Sequence, residues 1–269
     1  MLYKFRIDFL KFLLFNVYHI NAPNNKKARL YDLFDPIYDA RVFGDKIRLY
    51  CQNYRVYKRS ESILRKEPDT IEWIESFSSG ETLFDVGANI GLYSLLAAKR
   101  GAKVIAFEPE SQNYSILNKN IYINSLDENI TALNIALSDQ NGLDYLYVPI
   151  FSSGTAFNQL EHSPRQKNGQ TRKGFKQGIF SYTLDSFTEA FSEYFPNHIK
   201  IDVDGIQAKI IAGASRTLEN PKVQSILIEL DQNLTADQEA IDLFLSKGFD
   251  ITSRTAKLER GVFNYIFRR

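Results

Sequence analysis

Cysteine is almost missing from this chain: among 269 residues there is one, Cys51. A single thiol closes no internal disulfide and builds no thiolate zinc cluster, and it suits a reducing compartment. Cys51 ends the alternating run Lys46-Ile47-Arg48-Leu49-Tyr50. It therefore reads as a structural thiol at a strand rather than as a nucleophile. No compact metal-ligand motif is present, and no metal is expected. A charge excess of either sign is also lacking: 33 basic and 32 acidic residues leave +1. A broad nucleic-acid-binding surface is thereby excluded as an expectation. Long apolar runs are absent as well. Lys4, Arg6, Asp8 and Lys11 interrupt the N-terminal run, and the stretch after Lys11 is too short to span a bilayer. No small-residue cleavage site follows it. Residues 1 to about 20 read first as an amphipathic helix packed on the domain or a partner. The second reading is a helix lying on a membrane surface. The expected location is cytoplasmic, with peripheral membrane contact through residues 1–20 as the variant, and a homo-oligomer is compatible with either.

The length suffices for one large α/β domain; two full domains would be cramped. The expected division is a helix and β-hairpin extension at 1–66 and one α/β domain at 67–269. Residues 45–60 alternate apolar and polar, with Gln52-Asn53 as the turn of the hairpin. A helix over Asp69 to Phe77 follows. Thr82 to Val86, Lys103 to Phe107 and Ile130 to Leu137 are short apolar strands, separated by helices opening at Gly91 and Ser111. Such alternation means a parallel sheet covered on both faces. Strands are further expected at 143–150, 178–183, 199–203, 226–230, 249–253 and 261–267, and helices at 207–218 and 236–246. The segment 152–176 is polar and long for a loop, which suggests function or mobility.

The central feature is Phe84-Asp85-Val86-Gly87-Ala88-Asn89-Ile90-Gly91, a strand running through a small-residue turn into a helix. Glycine lets a ligand approach the backbone, and Asn89 tolerates a left-handed conformation. The turn lies outside the carboxyl end of a parallel strand, where open α/β sheets bind ligands. A dinucleotide fingerprint would need glycine where the chain has Asn89 and Leu92. Asp85 would repel phosphate but suits the amine end of a methionine moiety. Glu108 ends the next strand about 20 residues on, where a carboxylate accepts from ribose hydroxyls. The alternative for this pair is plain structure: Asp85 capping the helix at 91 and Glu108 a solvated strand end.

These residues resemble the FkbM methyltransferase family over roughly residues 60–231. Besides the turn, the matching blocks are Phe107-Glu108-Pro109 with Asn113, Ala136-Leu137-Ser138-Asp139, Tyr182 to Phe187, and Ile199-Lys200-Ile201-Asp202-Val203-Asp204-Gly205. Gly213-Ala214 and Ile226 to Glu229 also fit. The resemblance implies a class I methyltransferase fold, Rossmann-like, with a seven-stranded, mostly parallel sheet whose last strand is antiparallel. It implies S-adenosylmethionine as donor and a hydroxyl acceptor. By position, Asp85, Gly87, Asn89 and Gly91 would line the methionine side, Glu108 would hold the ribose, and Ala136 and Ser138 would lie near adenine. Where the family commonly reads D-V-E-G-x-E, this chain has Asp204 and Gln207 in place of the two glutamates, which counts against any role needing both carboxylates.

Methyl transfer needs an acceptor oxygen held in line with the methyl carbon, and a base adds to the rate. Asp202, near the donor, and Asp204, near the acceptor, are the candidates, with His162 in the polar loop as a third. His198 precedes its strand at the wrong edge and reads as structural. Lys200 is expected to pair with a carboxylate inside the sheet and is placed, with Arg165 and Arg172, on the substrate side. The basic loop, which also holds Lys167, Lys173 and Lys176, would suit an acceptor bearing phosphate or carboxylate. The principal reading is an O-methyltransferase acting on a sugar, glycan or related small molecule. The alternatives are a degenerate methyltransferase fold serving as a binding module, and a methyltransferase of RNA or protein.

Overall fold

The computed structural model describes residues 36–42, 44–156, 158–160, 174–257 and 261–269. The expected N-terminal helix lies outside them. Tyr38–Arg269 is one compact unit. Its first strands, β1 (Ile37–Val42) and β2 (Asp45–Tyr50), form a two-stranded sheet. The expected turn at Gln52-Asn53 is corrected: Asn53 caps helix α1 (Tyr54–Lys66), its Oδ1 accepting from Val56 N at 2.9 Å. A short polar side chain that satisfies an orphan first-turn N–H starts a helix as readily as it makes a turn.

After α2 (Pro68–Glu75) the α/β alternation runs β3 (Thr82–Val86), α3 (Leu92–Lys99), β4 (Lys103–Phe107), α4 (Ser111–Asn124) and β5 (Ile130–Leu133). It resumes with β10 (His198–Ile201), α6 (Gln207–Ala212), α7 (Ser215–Glu219), β11 (Ser225–Asp231), α8 (Thr235–Ser246), β12 (Asp250–Ala256) and β13 (Val262–Arg268). The seven-stranded sheet has the order β12-β13-β11-β10-β3-β4-β5, with β13 antiparallel to both neighbours. This is the expected class I methyltransferase arrangement, helices on both faces and a hairpin in front. Strand alternation sends Phe84, Val86, Ile199 and Ile201 to one core, and Leu83, Val104 and Leu227 to the other, against α2, α3, α4 and the hairpin. The same alternation puts Asp85 and Lys200, neighbours in register, with the second set.

Residues 130–137 do not form one strand. Asn134 Nδ2 donates to Glu108 O and Pro109 O, at 2.8 and 3.0 Å, and the chain leaves the sheet there. β6 (Ala136–Leu137) joins β7 (Gly142–Val148), β8 (Gln159–Leu160) and β9 (Phe175–Tyr182) in a second sheet of order β6-β9-β7-β8. A helix that the sequence pattern did not suggest, α5 (Leu184–Ala190), follows, capped by Thr183. The helix expected over 207–218 breaks at Gly213, where a Cβ would stand 2.2 Å from Ser138 O.

Candidate active site

A cleft of about 980 Å³, open mouth included, lies along the carboxyl ends of β3, β4 and β10. Its floor is the turn after β3. Gly87 has φ +80° and approaches β10 so closely that a Cβ would stand 2.1 Å from Asp202 O. Its N–H and that of Ala88 both donate to Phe107 O, tying the turn to β4. Asn89 takes a left-handed φ of 53°, which Asn accepts better than most residues. Glu108, 4% exposed, joins turn and helix: Oε2 accepts from Asn89 N at 2.7 Å and Oε1 from Glu110 N at 2.9 Å. Burial pushes its carboxyl up to about 7, against the pull of those two N–H donors.

The other end of the cleft is charged. Lys200 is buried, yet its Nζ donates to Asp202 Oδ2 at 3.1 Å and lies 3.5 Å from Asp85 Oδ1. Burial alone would lower its pKa; the carboxylates of Asp202, Asp85 and Glu67 outweigh it and raise it. Burial, the largest influence, pushes the Asp202 carboxyl up, but Lys200, Lys257 and Arg59 together hold it below the ordinary value. The Asp202 side chain remains 40% exposed at the cleft. Beside it, Tyr93 donates its O–H to Glu67 Oε2 at 2.7 Å, and Lys257 bridges Glu67 and Glu229. Burial, and next the Asp202 carboxylate, push Glu229 up to about 7.

Of the residues expected at a donor and acceptor site, Gly87, Asn89, Glu108, Ala136, Lys200, Asp202 and Asp204 line this one cleft. Asp85 lies beneath it, 1% exposed, its Oδ2 accepting from Ser94 Oγ at 2.6 Å. Gly91 supports the turn from below; a Cβ there would meet Leu117 Cδ1 at 2.4 Å. Ser138 lines a separate depression with Asp139 and Lys209. His162, Arg165 and Arg172 fall outside the described residues. Lys176, on β9, sets its Nζ 3.7 Å from the centre of the Tyr145 ring. His198 sits at the opposite, amino-terminal edge of the sheet, between Ser225 Oγ at 2.8 Å and Glu81 Oε2 at 3.0 Å. Cys51 follows β2, half-buried.

Two cleft residues escaped the sequence reading. Arg59 comes from α1, and its charge bears on both Glu108 and Asp202. Asn158 belongs to the polar stretch before β8, and its buried Oδ1 has no hydrogen-bond partner among the described residues. An unsatisfied buried acceptor costs about 1–3 kcal/mol. No local sequence signal marks either residue, because each reaches the cleft only through tertiary packing. Among the described residues no helix is long and apolar enough to cross a membrane.

The model of the methyltransferase FkbM domain matches residues 85–251. Methyltransferase sdnD of Sordaria araneosa is 25% identical over 240 residues, which cover 80% of this chain and 92% of that protein. Hexuronic acid methyltransferase AglP of Haloferax volcanii is 26% identical over 223 residues, 82% of this chain and 84% of that protein. A solved S-adenosylmethionine-dependent methyltransferase from Agrobacterium tumefaciens is 11% identical, with 86% of this chain and 70% of that one covered and a TM-score of 0.47. The matched domain takes in more than half of the chain, from Asp85 past the charged end of β10 and through β11: the chain belongs to the FkbM methyltransferase family and is an S-adenosylmethionine-dependent methyltransferase.

Proposed function

We propose that this enzyme methylates a hydroxyl of a sugar, glycan or related small molecule. The observation that carries the reading is Asp202: an ionised carboxylate, held by Lys200, beside the Gly87 turn and open to the cleft. S-adenosylmethionine, when bound, supplies an electrophilic methyl group on a sulfonium. The residues present fit such a donor. Glu108 stands in the cleft wall with both oxygens oriented by backbone N–H groups, and each oxygen keeps a lone pair for a ribose hydroxyl. Gly87 lets the turn pack directly on the β10 backbone at Asp202, which keeps the cleft floor in place beneath the donor.

Asp202 keeps its negative charge next to the developing reaction and fixes Lys200 away from the acceptor. Asp204, two residues on and in the same cleft, accepts the proton of the acceptor hydroxyl as its oxygen bonds to the methyl carbon and the C–S bond breaks. A positioned base of this kind is worth typically about 10²–10⁴-fold. A saccharide acceptor is supported by the hexuronic acid methyltransferase among the relatives. The cleft is lined by the carboxylates Glu108, Asp202 and Asp204, so a neutral hydroxyl-rich face suits it. An acidic group on the same acceptor would have to meet Arg59 or the basic loop residues Arg165 and Arg172.

The test is calorimetric titration with S-adenosylhomocysteine, then methyl transfer from labelled S-adenosylmethionine onto nucleotide sugars and uronate-bearing glycans. Transfer to a hydroxyl, reduced about 10²-fold or more by Asp204→Asn with donor affinity kept, is the expected result. Transfer only to a nitrogen or carbon acceptor, or an Asp204→Asn enzyme with unchanged turnover, would overturn it.

A further inference from the structure

One wall of the cleft, beside the turn after β3, is a strap whose described residues are 152–156 and 158–160, and it is held as if its position mattered. Asn53, the cap of α1, donates its Nδ2 to Ser153 O at 3.1 Å and Ser153 Oγ at 3.0 Å. Asn113, on α4, takes Gly154 N on its Oδ1 at 2.7 Å and gives its Nδ2 to Thr155 O at 3.2 Å. Asn89, in the turn itself, donates its own Nδ2 to the same Thr155 O at 2.9 Å. Farther along, Leu160 pairs with Leu146 of β7. Three asparagines from three elements and a strand pairing thus fix both ends of the strap.

Between the fixed ends sits Asn158. Extended backbone places residues two apart on one face, and Leu160 and Asn158 both line the cleft. The surrounding wall, Phe107, Ala136, Leu137, Leu146 and Leu160, is apolar, and a flat ring fits there. In that wall the buried Asn158 Oδ1 lacks a partner among the described residues, although buried polar groups nearly always have one. A ligand that brings an N–H into this apolar slot completes it. A primary amide is also the side chain that meets the amino edge of adenine, accepting from the exocyclic amine and donating to a ring nitrogen.

We infer that Asn158 reads the amino edge of the donor's adenine, so that the strap sets base specificity. This rests on the donor assignment above. Its test is calorimetric titration of the full chain with S-adenosylhomocysteine and with S-inosylhomocysteine, in which a carbonyl replaces the amine. The wild type should prefer the adenosyl compound by about tenfold or more. Asn158→Ala should weaken the adenosyl compound about tenfold and leave the inosyl compound within about twofold, so that the ratio falls towards one. Asn158→Asp, which keeps an acceptor oxygen, should retain part of the preference. Equal weakening of both compounds in Asn158→Ala, or an unchanged ratio, overturns the inference and leaves the donor site standing. A wild type that binds neither compound overturns the donor assignment and this inference with it.

Discussion

The two edges of the parallel sheet each bury ionisable side chains, and they use them in opposite ways. At the amino-terminal edge the buried polar atoms around His198 are answered within the protein. Trp73 Nε1 donates to Ser225 Oγ at 2.7 Å, which leaves the Ser225 O–H for His198 Nδ1 and the His198 Nε2–H for Glu81. The His198 ring stacks on Phe77 with centroids 3.7 Å apart, and burial, the largest influence, lowers its pKa. His198 is held neutral, and the network closes on the Glu81 carboxylate. At the carboxyl-terminal edge, Asp85, Lys200 and Asp202 form a charged network that ends in a cleft, and Asn158 keeps an unanswered oxygen. Lys200 and His198 lie two residues apart on one face of one strand. Burial alone therefore does not mark a functional group; what matters is whether its network closes on the protein or opens towards a ligand.

That contrast can be broken most severely at Lys200. Lys200→Met leaves Asp85 buried without its cation, and removal of one partner of a buried pair costs about 3–5 kcal/mol. Urea unfolding should show that loss, and S-adenosylhomocysteine binding should fall with it; a variant as stable as wild type would show that the lysine is dispensable to the fold. Gly87→Ala comes next. The new methyl at 2.1 Å from Asp202 O must displace the turn, and a shift of about 1 Å near a reacting centre costs about 100-fold in rate. Steady-state turnover should fall by that factor, more than unfolding stability suggests. His198→Ala probes the other edge. It leaves the buried Ser225 O–H without its acceptor, at about 1–3 kcal/mol, and should leave the affinity for S-adenosylhomocysteine within about twofold; a tenfold loss would couple the two edges.

The last test concerns pH, and the edges should differ in sign. Glu108 and Glu229 are raised from 4.5 to about 7, chiefly by burial. A carboxyl raised in the folded state holds its proton more tightly there than in the unfolded chain. Its contribution is full below about pH 4.5 and is lost as pH rises to about 7, up to about 3 kcal/mol for each. His198 is lowered, so its contribution is full above the ordinary 6.5 and is lost as pH falls below it. Thermal midpoints of Glu229→Gln across pH 4–8 should lie on a flatter curve than those of wild type. A parallel curve would remove Glu229 from the titrating set.

Much of this was legible in the residues. The apolar run at 104–107 announces a buried parallel strand because no half-exposed strand is apolar on both faces. The Gly87 turn is legible because a residue without Cβ is needed where backbone meets backbone. What escaped was local ambiguity and distant assembly. Gln52-Asn53 reads as a turn or as a helix cap with equal ease, and only the packing of Val56 beneath Gly154 decides for the cap. The strand expected over 130–137 was cut by Asn134, whose amide finds two carbonyls beyond β4.

The sequence by itself determined the sheet, the glycine-bearing turn after β3 and the carboxylates near it, since periodicity and side-chain chemistry are local properties. Only the tertiary structure decided that Asp85 lies beneath the cleft, tied to Lys200 and Ser94, and that Arg59 and Asn158 enter it. Those placements depend on which residues far apart in the chain are brought within hydrogen-bond reach, and no short window of sequence carries that distance.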